Sequence, residues 1–317
     1  MSRKQSILET SRSSMAVAVT AEQAVGAGVR DRIAEYVALS KPRIATMVLV
    51  SVAVGFTLAT VQDFDVVQLM AALFGVGLSA AASSILNQWV ERRTDALMPR
   101  TADRPLPAGR VSESEALWLG VTLAVTATIW LAATVNLTTS ILTLATCLMY
   151  VGVYTPLKLK TPACTAIGAV PGAMPLVLGW TAAGGGLSLG ALVLFSILYV
   201  WQFPHFLAIA WIYQDQYRGA GLKMLPGDGR RPALVGLIAV GHAIALVPVT
   251  LWARSVGLAG DAYALTAIIL GCWYVMASIR FAGEPSIHTA RRLLWTSLAH
   301  LPMLLAALTI DHVRLLR

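Results

Sequence analysis

Charged residues are scarce in this sequence. Only 13% of its 317 residues are Asp, Glu, Lys or Arg, whereas 57% are hydrophobic, and the mean hydropathy is +0.70. Soluble domains carry about 25% charged residues. The shortage of charge therefore excludes an ordinary soluble domain and predicts an integral membrane protein, with lipid as its surroundings.

Acidic residues are fewer still, because 16 Asp and Glu stand against 24 Lys and Arg, which gives a net charge of +8. A basic balance often indicates nucleic-acid binding. Here the basic residues lie between apolar segments, where they set membrane orientation instead. The sequence therefore predicts no nucleic-acid partner.

Cysteine is also rare, with three residues in the whole chain. Cys147, Cys164 and Cys272 lie inside apolar runs and form no C-x-x-C pattern. This arrangement excludes a disulfide framework and a cysteine metal site.

The N-terminal region lacks the pattern of a secretory signal peptide. We predict a disordered or amphipathic cytoplasmic tail over residues 1–38, in which residues 31–39 form a short helix on the membrane surface. A transmembrane domain is predicted over residues 39–317. Ser40 and Pro42 read as the cap and first turn of its first helix.

Nine apolar segments are long enough, or nearly so, to cross about 30 Å of hydrocarbon. They predict an all-α, polytopic bundle of nine transmembrane helices. Their approximate ranges are 44–61, 66–89, 114–135, 139–155, 163–182, 188–210, 233–253, 260–280 and 293–311.

Lys and Arg are distributed unevenly between the two sides of this topology. Of the 24 residues, 21 fall in the N-terminal tail and in every second loop. Because such loops remain cytoplasmic, the bias predicts a cytoplasmic N-terminus and a C-terminus on the outside.

Polar oxygens cluster where the second apolar segment ends. Asn87, Glu91 and Asp95 are spaced four residues apart, and at about 100° per residue they share one helix face. Such a stripe suits Mg²⁺, which takes oxygen ligands and leaves part of its shell to water and substrate. Asp215 follows the sixth segment at a comparable level and would join them. A loop that merely enforces topology is the alternative.

Cations accompany this stripe, as a phosphate site requires. Arg100 and Arg104 follow it directly, and Lys158 ends the fourth segment. They predict a diphosphate partner beside the metal, although Lys158 alone could equally be a membrane anchor.

A second polar group lies within the sixth apolar segment, in Trp201-Gln202-Phe203-Pro204-His205. Proline within the span suggests a broken or kinked helix, with polar groups facing a cavity. Trp201, Gln202 and His205 then predict a pocket for a flat aromatic ligand or iron ligation. A histidine hydrogen-bonded in the core is the alternative.

These motifs resemble the UbiA superfamily of membrane prenyltransferases, and within it the branch that prenylates haem. The resemblance spans residues 39–312. It is carried by Lys41-Pro42-Arg43, by the segment from Asn87 to Leu106, and by the following motifs: Tyr154-Thr155-Pro156-Leu157-Lys158, Trp201-Gln202-x-Pro204-His205-Phe206 and Ala220-Gly221-x2-Met224-Leu225-Pro226.

The resemblance implies helices around a lipid-open cavity in the cytoplasmic (inner) membrane of a bacterium. It implies transfer of a farnesyl group from farnesyl diphosphate to a vinyl group of haem B, giving haem O. A haem A synthase or the assembly of a terminal oxidase would be downstream partners. The catalytic and metal-binding residues would be Asn87, Glu91, Asp95 and Asp215, with Mg²⁺ as cofactor. Arg100, Arg104 and Lys158 would hold the diphosphate, and His205, Trp201 and Gln202 the haem.

The sequence departs from the superfamily pattern at three places. Glu91 stands where most members have Asp, Gln216 replaces an acid beside Asp215, and Leu176 replaces a second proline after Pro175. Two other functions remain open: prenylation of another aromatic or quinone-precursor acceptor, and haem carriage or transport without catalysis.

Overall fold

The computed structural model describes residues 28, 30–60 and 64–315. Throughout these ranges the regular secondary structure is helical, and they contain no strand. The predicted all-α class is therefore confirmed. Most of the predicted tail over residues 1–38 lies outside the described residues.

A helix, α1, covers residues 30–40. The remaining helices are α2 (Pro42–Ala59), α3 (Val66–Asp95), α4 (Glu113–Thr134), α5 (Leu137–Leu148), α6 (Thr155–Leu157), α7 (Cys164–Ala182), α8 (Leu189–Ile212), α9 (Gln214–Gly219), α10 (Pro232–Ser255), α11 (Asp261–Gly283) and α12 (Ile287–Leu315).

Within the described ranges, nine helical segments are long and apolar enough to cross a membrane, as the sequence predicts. The fourth runs over Leu137–Leu157 and joins α5 to α6 through a π-helical turn, Met149–Tyr154. The second continues to Asp95 rather than ending near residue 89. This extension makes the polar stripe part of the same rigid helix as the apolar run.

The spans form two groups of neighbours that meet along α7 and α8. Helices α2, α3, α4, α5 and α7 pack together, and α8 packs with α10, α11 and α12. Helices α2 and α7 come especially close, because a Cβ atom on Gly55 or Gly179 would collide with the opposing backbone. Small residues permit this approach between membrane helices.

Burial identifies which spans form the interior. In α7, 61% of the most apolar window is buried, and in α8 50%, against 22–44% in the other spans. Large apolar side chains such as Trp118, Ile129 and Leu265 are exposed on the outer helices. They form the surface that lipid chains would contact.

Helix α1 confirms that residues 31–39 are helical; its location on the membrane surface stays a prediction. Arg32 pairs with Glu115 at 2.6 Å and Glu35 with Arg110 at 2.7 Å, which attaches α1 to the start of α4. Ile33 and Val37 remain about half exposed. An amphipathic helix of this kind is suited to lie in the membrane interface.

The predicted cap of α2 is wrong. The Ser40 hydroxyl donates to the Val37 carbonyl in α1, and Lys41 is the N-cap residue, with no side-chain cap bond. Lys41 has a φ of 51°, the left-handed region, so the chain turns sharply there. Pro42 begins the helix as expected.

Three loops interlock at the end of the bundle where α3 ends. They cover residues 96–112, 158–163 and 213–231, and we call them the cap. Met98 packs with Ala220 and Leu222, while the Lys223 amide donates to the Lys158 carbonyl at 2.6 Å. The cap thus encloses the end of α3.

Candidate active site

The polar stripe lies on the inner face of α3. Asn87 and Asp95 are each 1% exposed, and the Glu91 side chain is 11% exposed. All three belong to one continuous helix, so their spacing brings them to a common face as predicted. Ionisable groups so enclosed in a membrane bundle are costly and typically functional.

Each member of the stripe contacts a cation. The Glu91 carboxylate accepts from Lys158 Nζ at 2.7 Å, and the Asp95 carboxylate accepts from Arg104 Nη1 at 2.6 Å. Asn87 Oδ1 accepts from Lys41 Nζ at 3.4 Å. Three cations and two carboxylates leave a formal surplus of positive charge, which favours an anionic ligand.

Lys41 belongs to the site, although no sequence pattern indicated a functional role for it. Its left-handed backbone lies at the junction of α1 and α2, beside the stripe. Burial lowers the pKa of Lys41 to about 8; Arg104 adds to this effect and Glu91 opposes it. A diphosphate bound nearby would favour the charged form.

The π-helical turn Met149–Tyr154 faces the stripe from the fourth span. Asn87 Nδ2 donates to Thr155 Oγ1 at 3.0 Å, and that hydroxyl donates to the Tyr150 carbonyl at 2.8 Å. Turns of this type are frequent at functional sites, because the extra residue redirects side chains. No signal in the sequence indicated this one.

The same turn carries Lys158 to the stripe. Lys158 Nζ lies 4.5 Å from the ring centroid of Tyr154, whose ring stands 5.5 Å from that of Tyr150. Burial by itself would lower the pKa of Lys158, but the paired Glu91 carboxylate opposes it and the pKa is raised above its ordinary value. Lys158 is therefore charged at neutral pH.

Arg100 takes a different place from Arg104. Its guanidinium lies 4.7 Å from the Tyr213 ring centroid and 6.0 Å from that of Tyr217, and it approaches the Tyr217 hydroxyl at 3.4 Å. It joins two parts of the cap and remains exposed. It can meet an anion at the rim of the site.

Asp215 is not brought together with the stripe. Its side chain is 88% exposed and pairs with Arg218, its neighbour in α9, at 3.4 Å. The expected facing of Asp215 and Asp95 is thus absent from the described contacts. The metal-binding role of Asp215 stays a prediction that this geometry does not support.

Within residues 28, 30–60 and 64–315, no three His, Cys, Asp or Glu side chains form a group that could hold a metal ion. Magnesium does not require such a group, since one or two carboxylates and substrate phosphates commonly suffice. The ion pairs of Glu91 and Asp95 each engage one oxygen. The second carboxylate oxygens and Asn87 Oδ1 are the kind of donors that fit Mg²⁺.

The second polar group lies between α8 and α12. His205 Nδ1 lies 2.8 Å from Ser297 Oγ, and the His205 ring stacks on Trp201 at 5.0 Å. Ser297 donates its single hydroxyl hydrogen to the Leu294 carbonyl at 2.6 Å. With that hydrogen engaged, Ser297 accepts from His205 Nδ1–H, and in this tautomer Nε2 carries the lone pair.

Helix α8 continues through Pro204 over Leu189–Ile212. Of the predicted broken or kinked helix, the break is therefore absent, and the kink stays a prediction. Gln202 is 3% exposed and donates to the Ala169 carbonyl at 2.8 Å. It connects α8 to α7 instead of facing open space. Across the described residues, no hydrogen bond or ion pair joins the His205 group to the stripe.

Comparisons with known proteins agree with this architecture. The model of the UbiA prenyltransferase family matches residues 48–308. A protoheme IX farnesyltransferase of Solibacter usitatus is 39% identical over 289 residues, which cover 87% of this chain and 98% of the relative. A protoheme IX farnesyltransferase of Opitutus terrae is 37% identical, with 89% and 96% covered.

Solved structures share the fold. A UbiA homologue of Aeropyrum pernix superposes with a TM-score of 0.67 at 19% identity, covering 84% of this chain and 98% of that one. A UbiA homologue of Archaeoglobus fulgidus bound to GPP and Mg²⁺ gives 0.58 at 17% identity, with 86% and 99% covered.

The chain belongs to the UbiA prenyltransferase family, and within it to the branch of the protoheme IX farnesyltransferases. It is accordingly an enzyme that spans the membrane.

Proposed function

We propose that this enzyme transfers the farnesyl group of farnesyl diphosphate to a vinyl group of haem B in a Mg²⁺-dependent reaction that gives haem O. The observation that carries the proposal is the buried stripe with a cation at each position. It combines oxygen donors for a metal with donors for a diphosphate, as an allylic diphosphate requires.

The diphosphate would be held by Lys41, Lys158 and Arg104, with Arg100 at the rim. These cations would exchange part of their contact with the stripe for phosphate oxygens. Asn87, Glu91 and Asp95 would hold Mg²⁺, which would supply charge stabilisation to the leaving group. Asp215 could contribute only if α9 moved toward α3.

Cleavage of the allylic C–O bond leaves the electron pair on the diphosphate. Lys158, beside Glu91, neutralises the charge that develops there. The rings of Tyr150 and Tyr154 flank the same lysine and present faces that favour a nearby carbocation. The enclosed position of the stripe excludes bulk water from this step.

The terminal vinyl carbon of haem B then attacks C1 of the farnesyl group. The cation left beside the porphyrin takes up water and loses a proton, which yields the hydroxyl of haem O. The reaction consumes one water molecule and releases diphosphate.

His205 would bind the haem through Nε2. The Ser297 bond supports this role, because it fixes the tautomer that has a lone pair for iron. Trp201 stacks on the same imidazole and offers a flat surface to a porphyrin, whereas Gln202 positions α8 against α7.

The identity of the molecule that accepts the farnesyl group tests this proposal. Purified protein is given farnesyl diphosphate, Mg²⁺ and either haem B or an aromatic quinone precursor, and products are identified by mass spectrometry. We expect prenylated haem alone. Prenylation of the quinone precursor alone would contradict the haem assignment, and haem bound without any product would indicate a carrier.

A further inference from the structure

A groove runs along the outer surface between α11 and α12. Its volume is about 540 Å³, in the size range of about 300–1,000 Å³ typical of ligand pockets, and its lining residues all belong to two membrane-spanning helices. None of its lining residues belongs to the stripe or to the His205 group. The groove is therefore separate from the proposed chemistry.

The positions of the lining residues along the two helices show which end of the groove is charged. Trp273, Ala277 and Arg280 line it from α11, while Arg292, Trp295 and Ala299 line it from α12. In both helices about seven residues, or about 10 Å, separate the arginine from the far end. Arg280 is the lining residue of α11 nearest the α11–α12 connection, and Arg292 lies one turn beyond Thr289, the nearest lining residue of α12. From this end the groove extends along the two membrane-spanning helices.

The charged end is strongly basic. Glu284 is the one acidic residue between positions 262 and 310, and it forms no ion pair with Arg280 or Arg292 in the part of the chain that the structure describes. Two exposed arginines thus line the same groove without an acidic partner, and guanidinium groups are well suited to bind a phosphate.

The apolar part has the character of a lipid surface. Trp295 is 71% exposed, Met276 53% and Trp273 38%, although all three lie on membrane-spanning helices. Alanines at 277 and 299 leave space between the two helices, and Trp295, one turn from Arg292 at the charged end, suits the headgroup level of a bilayer.

We propose that this groove is a specific binding site for an anionic phospholipid, with Arg280 and Arg292 holding the headgroup phosphate and an acyl chain lying between the two tryptophans. Basic pockets between transmembrane helices recognise anionic lipid in this manner. A haem with its two carboxylates is the competing occupant. The exposed apolar lining on two membrane-spanning helices, and the absence of His205, Trp201 and Ser297 from that lining, favour the phospholipid.

The test measures lipid binding to the purified protein by native mass spectrometry, with phosphatidylglycerol and phosphatidylcholine of identical chains. Wild-type protein should bind phosphatidylglycerol more tightly. Arg292→Gln should weaken that binding about fivefold and Arg280→Gln/Arg292→Gln about 25-fold, as expected for one or two surface cations. Arg291→Gln, on the same helix turn but outside the groove, should change it less than about twofold.

A variant that fills the groove distinguishes lipid binding inside the groove from binding to the two arginines alone. Ala299→Phe keeps both arginines and fills the groove, so it should lose selective binding while its thermal transition in detergent stays unchanged. An equal loss in Arg291→Gln, or unchanged binding in Ala299→Phe, would overturn the proposal. So would loss of haem binding in the double arginine variant with phosphatidylglycerol binding retained.

Discussion

The ion pair between Lys158 and Glu91 offers a test that separates stability from catalysis. Its Nζ–Oε1 distance is 2.7 Å, and the two side chains are 12% and 11% exposed. At an effective dielectric constant of about 20, charges at that distance attract by about 6 kcal/mol. Desolvation offsets most of this attraction, but removing one partner leaves an enclosed charge unpaired.

We therefore expect Lys158→Met to lower the free energy of unfolding by about 3 kcal/mol, the lower end for a broken buried pair. The double variant Glu91→Met/Lys158→Met removes both charges and should recover to within about 1 kcal/mol of wild type. Neither variant should form product, because each lacks a charge that the reaction uses.

The assay combines denaturant titration in detergent with product detection by mass spectrometry. Arg254→Met is the matched control, since Arg254 and Asp261 also pair at 2.6 Å but are 56% and 86% exposed. That variant should lose at most about 1 kcal/mol and stay active. If the double variant regained activity together with stability, the pair would be structural and the reasoning would be refuted.

Three further variants test separate parts of the site. Asp95→Asn should reduce turnover about 100-fold or more, measured as product per minute at saturating Mg²⁺, and near-normal turnover would remove Asp95 from the metal site. Lys41→Met should raise the KM for farnesyl diphosphate about tenfold while haem binding is unchanged, because one charge-assisted contact is lost; an unchanged KM would argue against phosphate binding by Lys41. His205→Ala should weaken haem binding about tenfold in an absorbance titration, and Ser297→Ala should weaken it less; unaltered spectra in both would exclude His205 from the haem site.

The helices of this protein are largely readable from its sequence. Apolar runs in a membrane protein must form helices, because backbone groups in hydrocarbon have no water to bind. The nine spans follow from that requirement, and the Asn87, Glu91 and Asp95 stripe follows from helical periodicity. Their common face required no knowledge of tertiary contacts.

Contacts between segments that are distant in the sequence were harder to predict. Lys41 is 46 residues from Asn87 in the chain, and its arrival at the stripe depends on a left-handed residue between two helices. Lysine rarely adopts that conformation, so no local pattern predicts it. The lysine was visible in Lys41-Pro42-Arg43, but its role was not.

Asp215 and Gln202 illustrate the opposite error. Both residue types are typical of functional sites, yet Asp215 points outward on α9 and Gln202 bonds to the α7 backbone. The position of a residue along an apolar segment indicates how deep it lies in the membrane, but not the direction in which its side chain points. The packing of α9 and of α8 against their neighbours decides that direction.

The π-helical turn at Met149–Tyr154 was equally hidden. It replaces one turn of an otherwise regular span and carries no proline or glycine pair at its start. The expected residue Lys158 reaches Glu91 from the end of that turn. That Lys158 is a cation able to bind phosphate was predictable from its residue type, whereas its pairing with Glu91 could be seen only in the structure.

A metal-dependent transfer of farnesyl to haem can be checked in a single assay of product formation. Purified protein is incubated with haem B, farnesyl diphosphate and Mg²⁺, with and without EDTA, and the haem is examined by mass spectrometry. We expect haem heavier by a farnesyl group and a hydroxyl, formed with Mg²⁺ and absent with EDTA. Haem B recovered unchanged in both, or product formed equally in the presence of EDTA, would contradict it.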